Sequence, residues 1–330
     1  MVSTPTPPTS KLLILLSFFR ALAGRPVRHW APADPLPEEV AEGYEIGHDI
    51  TLWRLPAGYV RVRERHVRFE DAVVDTPAAF RLPTLMADRR IGPWLTCTSW
   101  LIDHPEKTIL VDTGEAPDFG SASYFAGTSP MLRRVYPRLI DCRVPKPQTL
   151  PRLLAAAGKN LEDIDQCVLS HLHSDHVANL GLLPSKTRVV LAEDETRHSV
   201  GSGRLLQKLP SDPDRLHFIE GNYDEPVFGT SHPLTEREDV RVVRTPGHTI
   251  GHSSVLIDLG DQQVLLAGDS AFSDQQLAEG SIPGVVESLS RTRRTYMKLE
   301  ALTRVKPTVL LFSHDPENRQ KLIARFPLRS

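Results

Sequence analysis

His171-Leu172-His173-Ser174-Asp175-His176 sets three imidazoles and a carboxylate within six consecutive positions, directly after the strand-like run Cys167-Val168-Leu169-Ser170. Folding alone does not ask for that density. If residues 167–170 form a buried strand, the side chains fall where the chain leaves its carboxyl end. Residues two apart in an extended segment point the same way, so His171 and His173 can grip one metal together. Asp175 and His176 lie in the turn beyond and can hold a second. Imidazole nitrogen with carboxylate oxygen suits zinc, iron or manganese better than copper(I) or calcium.

Three further pieces repeat the arrangement. Thr245-Pro246-Gly247-His248-Thr249-Ile250-Gly251-His252 follows the strand-like Val240-Arg241-Val242-Val243, and its Pro-Gly pair forces a tight turn that fixes His248. Asp269 stands straight after Gln263-Val264-Leu265-Leu266-Ala267-Gly268. Ser313-His314-Asp315 follows Thr308-Val309-Leu310-Leu311-Phe312. Any one of these alone is an ordinary strand end. Four in this order are not.

The order resembles the metallo-β-lactamase superfamily over about residues 45 to 320. The resemblance implies an α/β fold (α+β by some schemes), the four-layer αββα sandwich, with metal loops along one edge. By motif position it implies that His171, His173 and His248 hold a first metal. Asp175, His176 and His314 would hold a second, and Asp269 would bridge both. Val111-Asp112-Thr113-Gly114 is similar to the family's early strand-end motif, in which Asp112 buttresses the site without binding metal. Within the superfamily the chain is most similar to the quorum-quenching N-acyl homoserine lactonases, on the segment His314-Asp315-Pro316-Glu317 and a domain ending soon after it. It departs from them at Phe272, where those lactonases carry a tyrosine that reaches toward the substrate carbonyl. Phenyl keeps the packing and loses the donor. Tyr124 and Tyr136 are the candidate replacements in the substrate pocket.

Length and composition agree with an enzyme and exclude little. The chain has 330 residues, 40% hydrophobic and 24% charged, as in an ordinary globular protein. A formal charge of −2 leaves no basic excess for a phosphate backbone, so nucleic acid is not the expected partner. The superfamily's nucleases also carry a long insertion between the bridging Asp and the last His, whereas the stretch from Asp269 to His314 is short. Cys97, Cys142 and Cys167 give no readable disulfide framework, and Cys167 reads as a buried thiol. Oligomeric state is not readable.

Residues 1–45 read as an extension and residues 46–330 as the catalytic domain. Within the extension, residues 1–10 are a Pro/Ser/Thr-rich lead and residues 12–19 are strongly apolar. Two readings stand: a signal peptide with an A-x-A site at residues 21–23, or a retained helix capped by Ser10 and Gly24. The retained helix, in a cytoplasmic enzyme, is preferred. Export, or membrane association through residues 11–23, is the alternative, and the run is too short to span a bilayer. Further on, residues 61–69 alternate as a strand with one wet face. Residues 94–102 and 108–111 read as a hairpin, and residues 115–146 as a lid or an excursion with its own small core. Residues 149–157 and 283–305 read as helices, the second burying Val285, Leu289, Tyr296 and Leu299. Among the other histidines, His252 reads as a structural hydrogen-bonder of the Pro-Gly-His turn. His29, His48, His66, His104, His198, His217 and His232 lack ligand spacing, and only folding decides whether His66 or His104 enters the pocket.

The expected chemistry is hydrolysis. Two cations about 3.5–4 Å apart share a water and lower its pKa, giving a bridging hydroxide that attacks a lactone or carboxylic ester. The expected cofactors are two divalent transition metals, zinc first, with iron or manganese as alternatives. Asp175 is placed to handle a proton as the alkoxide leaves. No Gly-x-Ser-x-Gly elbow provides a serine nucleophile. Alternatives are hydrolysis of a thioester, phosphotriester or β-lactam, or iron redox chemistry on the same fold. Against a diiron oxygen reductase, His173 is intact where such enzymes usually carry a carboxylate, and no flavin domain is evident.

Overall fold

The computed structural model describes residues 35–69, 81, 85, 88–128, 130–197, 204–205 and 208–329. The readings of residues 1–34, including both accounts of the apolar amino terminus, lie outside them, as do His29 and His198. Among the described residues no helix is long and apolar enough to cross a membrane.

Among the described residues, fourteen strands form two sheets. The first contains β1 (Glu42–Gly47), β2 (Ile50–Arg63), β3 (Ile91–Asp103), β4 (Thr108–Val111), β5 (Ile140–Arg143), β6 (Gln166–Val168), β7 (Arg188–Leu191) and β8 (Leu216–Phe218). Its order is β1-β2-β3-β4-β6-β7-β8, with β5 added to β2. The second contains β9 (Tyr223–Glu225), β10 (Gly229–Pro233), β11 (Val240–Arg244), β12 (Ser253–Asp258), β13 (Gln263–Gly268) and β14 (Thr308–Phe312), in the order β14-β13-β12-β11-β10-β9. The ordered sheet starts at Glu42, slightly ahead of the boundary expected at residue 46.

Alternation along the strands builds three apolar layers. Between the sheets, Leu52, Trp100, Ile102 and Val168 meet Val242, Val255, Val264 and Leu311. On the outer face of the first sheet, Leu150, Leu153 and Leu154 of the helix Leu150–Ala156 cover Leu101, Leu110 and Cys167. On the outer face of the second, Leu289, Tyr296, Leu299 and Leu302 cover Val243, Leu256, Leu265 and Leu310. The architecture is the αββα sandwich.

Two expectations change. Strand β2 stops at Arg63 and turns into the short helix Glu64–Val67, and its second half has no wet face. The arginines there are buried with partners: Arg61 Nε donates to the Gly92 carbonyl (3.1 Å) and its guanidinium stacks on Trp94. The second helix begins at Leu289, not near residue 283, because the Ser288 side chain caps it by accepting from Arg291 N–H. Val285 therefore lies outside the helix, on the wall of the cavity described below.

Direction places the site. Strands β4 and β6 run parallel, as do β13 and β14, while β11 is two antiparallel steps from β13. The carboxyl ends of these strands thus deliver Asp112, His171, His248, Asp269 and His314 toward one edge. At that edge Thr98 N–H of β3 donates to the Ser313 carbonyl (3.0 Å), tying one sheet to the other.

Candidate metal centre

After β6 the chain stays extended through His173 and then winds into the short helix Ser174–Val177, which turns Asp175 and His176 away from the first two histidines. Ligand atoms of His171, His173 and His248 lie within 4.8 Å of one another, as do those of His171, His176 and Asp269. A third group joins Cys97, Asp175 and His314. Asp269 stands between them: Oδ2 lies 3.4 Å from His248 Nε2 and 3.2 Å from His314 Nε2, and Oδ1 lies 3.5 Å from His176 Nε2. Asp175 Oδ2 is 3.4 Å from His314 Nε2 and 3.7 Å from His176 Nε2. All seven residues expected as ligands converge.

The donor set fits cations. His173 Nδ1 is 3.0 Å from His171 Nε2 and 2.9 Å from His248 Nε2, and one ring nitrogen cannot hydrogen-bond well to both. Nitrogens bound at about 2.0–2.1 Å to one zinc stand about 3.3 Å apart, close to this spacing. His176 Nε2 and Asp269 Oδ1, both on the facing side of the cluster, are buried without a hydrogen-bond partner. Leaving such groups unpaired costs about 1–3 kcal/mol each, which a bound cation offsets for atoms aimed at it. Burial, then the neighbouring imidazoles of His176, His173 and His248, pushes His171 well below the usual histidine range and keeps it an uncharged donor. Burial also lowers His248. Burial opposes ionisation of Asp269, but His314 and His176 outweigh it and hold the carboxyl well below the ordinary range.

A surrounding shell orients these donors. Asp112, at φ 59°, accepts from Ser170 N–H (2.8 Å) and, through Oδ2, from His176 Nδ1 (2.7 Å), leaving His176 Nε2 for the centre. His314 Nδ1 donates to the Thr96 carbonyl (2.8 Å), with the same consequence. His252 is held at Nδ1 by Thr245, and its Nε2 accepts from Asp269 N–H (3.0 Å), so it positions the backbone of Asp269. Two positioning residues escaped the sequence reading. Glu195, fully buried, accepts from Leu172 N–H (3.2 Å), from Gly251 N–H (2.9 Å) and from the Thr249 hydroxyl, joining both histidine loops. Cys97 Sγ sits 3.8 Å from Asp175 Oδ2. Neither has a spacing signal, because each comes from a strand or helix remote in sequence.

A cavity opens on the centre. His173, Asp175, His248, Asp269 and His314 line it together with the apolar Val60, Val62, Leu95, Ile140 and Phe272. The Phe272 ring centroid is 5.0 Å from that of His314. Tyr136 lines the cavity, its hydroxyl accepting from Ser174 N–H (3.3 Å). Tyr124 stands behind it, donating to Glu115 Oε1 (2.8 Å) within an aromatic group with Phe119 and Phe125. Of the two tyrosines, only Tyr136 is on the wall. His66 enters the cavity, whereas His104 pairs with Asp239 (3.2 Å) at the far side of the hairpin.

Histidine and aspartate donors at the strand ends of an αββα sandwich define a metallohydrolase-type centre. The family model of the metallo-beta-lactamase superfamily matches residues 92–314, and the chain belongs to that superfamily. It is 25% identical over 279 residues to the N-acyl homoserine lactonase AttM of Rhizobium radiobacter, an alignment covering 82% of this chain and 94% of the relative. Its fold is similar to that of an N-acyl homoserine lactone hydrolase solved with N-hexanoyl-L-homoserine at its catalytic metal centre: TM-score 0.60, 20% identity, 86% of this chain and 96% of that one. The dizinc quorum-quenching lactonase AidC aligns with TM-score 0.57 at 18% identity, over 84% of this chain and 91% of its own.

Proposed function

We propose that residues 46–330 form a dinuclear metal-dependent hydrolase that opens a lactone or carboxylic ester. The observation that carries this reading is Asp269, whose Oδ2 lies 3.4 Å from His248 Nε2 while Oδ1 lies 3.5 Å from His176 Nε2, so one carboxylate faces both donor groups. His171, His173 and His248 would hold one ion, and Asp175, His176 and His314 the other, with zinc preferred by the nitrogen-rich set. Ions held there would supply an activated water and polarise the ester carbonyl.

The chain's own residues do the rest. The apolar wall of Val60, Val62, Leu95 and Phe272 takes the acyl part and excludes water from the reacting carbonyl. Asp175, half-buried and on the cavity wall, is within reach of the leaving oxygen and carries its proton. Asp112, His252 and Glu195 keep the donors aimed. The names of the relatives reported above, an N-acyl homoserine lactonase and an N-acyl homoserine lactone hydrolase among them, support a lactone as the substrate class.

Two measurements test this. Metal analysis of the active protein should give about two transition ions per chain, and one or none would remove the dinuclear reading. A panel of lactones, thioesters, phosphotriesters and β-lactams should show lactone opening with proton release. Oxygen or sulfur oxidation without ester cleavage would place the protein among iron redox enzymes instead.

A further inference from the structure

Outside the ion-facing cluster the cavity is lined mostly by apolar residues, and its polar members among the described residues are Tyr136, whose hydroxyl accepts from Ser174 N–H, Glu287, which accepts from Ile250 N–H, and His66. His66, in the short helix Glu64–Val67 at the end of β2, lines the cavity and is 3% exposed, and neither of its ring nitrogens makes a well-formed hydrogen bond to a described residue, the Arg63 carbonyl being only a weak neighbour. The other buried histidines removed from the ion-facing cluster are paired: His104 with Asp239, and His252 with Thr245 and Asp269 N–H. A structural histidine is normally satisfied in this way. His66 also belongs to none of the groups of donors clustered closely enough for a metal among the described residues.

Its backbone is fixed. The His66 carbonyl accepts from Gly284 N–H (3.0 Å), and a Cβ at Gly284 would stand 2.2 Å from the Arg65 carbonyl, so the two segments touch without side chains between them. The backbone that carries the ring is therefore held in place. Leu85, Val62 and Val285 line the same cavity and provide no polar partner of their own.

We propose that His66 is a specificity-determining residue of the substrate cavity, hydrogen-bonding a carbonyl or amide group in the acyl arm of the substrate while the ester itself lies at the metal centre. This deepens the hydrolase reading above and rests on it. Burial, then Arg63, lowers the imidazole to about 4, against the smaller opposing influence of Asp88 and the Arg63 carbonyl, so at neutral pH the ring carries one N–H donor and one acceptor. An amide matches both. A purely hydrocarbon arm would leave them unpaired, and such mismatches in a dry pocket are discriminated more strongly than a change of one methylene.

The test uses two carboxylates of matched length, N-decanoylglycine and tridecanoate, titrated by calorimetry into the metal-loaded full-length protein. His66→Leu should weaken N-decanoylglycine about tenfold and leave tridecanoate unchanged or tighter, with unaltered metal content, and His66→Gln should recover part of the loss. Equal effects on both ligands would make His66 a packing residue and overturn the proposal, as would no effect on either. Kinetics on an N-acyl homoserine lactone and an alkyl γ-lactone separate the two readings. If the wild type opens neither lactone but His66 still governs amide binding, the hydrolase reading falls and this one stands. If both lactones are opened and the His66→Leu variant keeps the wild-type ratio of KM values, the reverse holds.

Discussion

At the scale of single residues, Phe272 departs most from the lactonases the chain resembles. Its ring centroid is 5.0 Å from that of His314, on the cavity wall. A donor aimed at developing negative charge can be worth about 3 kcal/mol in a dry site, less where a cation shares the charge. Phe272→Tyr should raise kcat on acyl homoserine lactones several-fold with metal content unchanged. Loss of activity on every lactone would show that the ring instead packs an apolar arm. Tyr136 carries a hydroxyl among the described lining residues, and Tyr136→Phe should lower kcat more than it raises KM. Glu115 carries the clearest pH dependence. Burial, with a further contribution from Asp175, pushes it from 4.5 up to about 7 although Ala116 N–H and the Tyr124 hydroxyl favour its ionised form. The folded state thus keeps a proton that the unfolded chain has already lost. That contribution to stability is full below pH 4.5 and disappears as pH rises through about 7. Glu115→Gln should therefore gain stability relative to wild type between pH 5 and 8, by on the order of 1–3 kcal/mol. Parallel urea-melt profiles for the two proteins would refute it.

At the scale of elements, the two histidine loops are held in register by one carboxylate. Glu195, in the short helix Glu193–Thr196, takes Leu172 N–H from the first loop and Gly251 N–H from the second. A side chain at Gly251 would meet Glu195 N at 2.5 Å, so the glycine is what lets the loop approach. Glu195→Ala strands both N–H groups at no direct cost to any ligand. It should weaken metal retention about 10–100-fold, the range seen when residues behind ligands are removed, while the far-ultraviolet circular dichroism is kept. Unchanged metal affinity would reduce Glu195 to a packing residue. At the end of β13, Gly268 has φ +56°, and a Cβ there would lie 2.7 Å from His252 Nε2. Gly268→Ala should therefore displace His252, misplace Asp269 and cost stability as well as metal.

At the scale of the whole molecule, the centre is a clasp between the sheets. His171, His173 and His176 come from the first sheet, while His248, Asp269 and His314 come from the second. Ions bound across that edge stabilise the folded state by mass action, about 4 kcal/mol at a free concentration a thousand times Kd. Removing them with a chelator should lower Tm by several degrees, and adding zinc back should restore it. A Tm indifferent to chelation would mean that the sheets hold the edge unaided.

The fold and the ligand cluster were legible in the linear order because both rest on local chemistry. Strand-like runs ending in His or Asp mark the carboxyl ends of β6, β11, β13 and β14, and the dense run 171–176 leaves few alternatives. The tight turn at Pro246-Gly247 was equally readable, since Gly247 takes φ +154° for a local reason. The extent of elements was less so. Arg61 and Arg63 read as a wet face, yet Gly92, Trp94 and the Arg138 carbonyl, all distant in sequence, bury them. Only the tertiary structure decided which groups without spacing meet the site. It turned Tyr136 to the cavity and Tyr124 to Glu115, sent His104 to Asp239, brought Cys97 beside Asp175, and set His66 in the cavity lining. The physical reason is that ligand spacing is a property of one strand end, whereas a pocket wall is assembled from segments whose only relation is that they pack together.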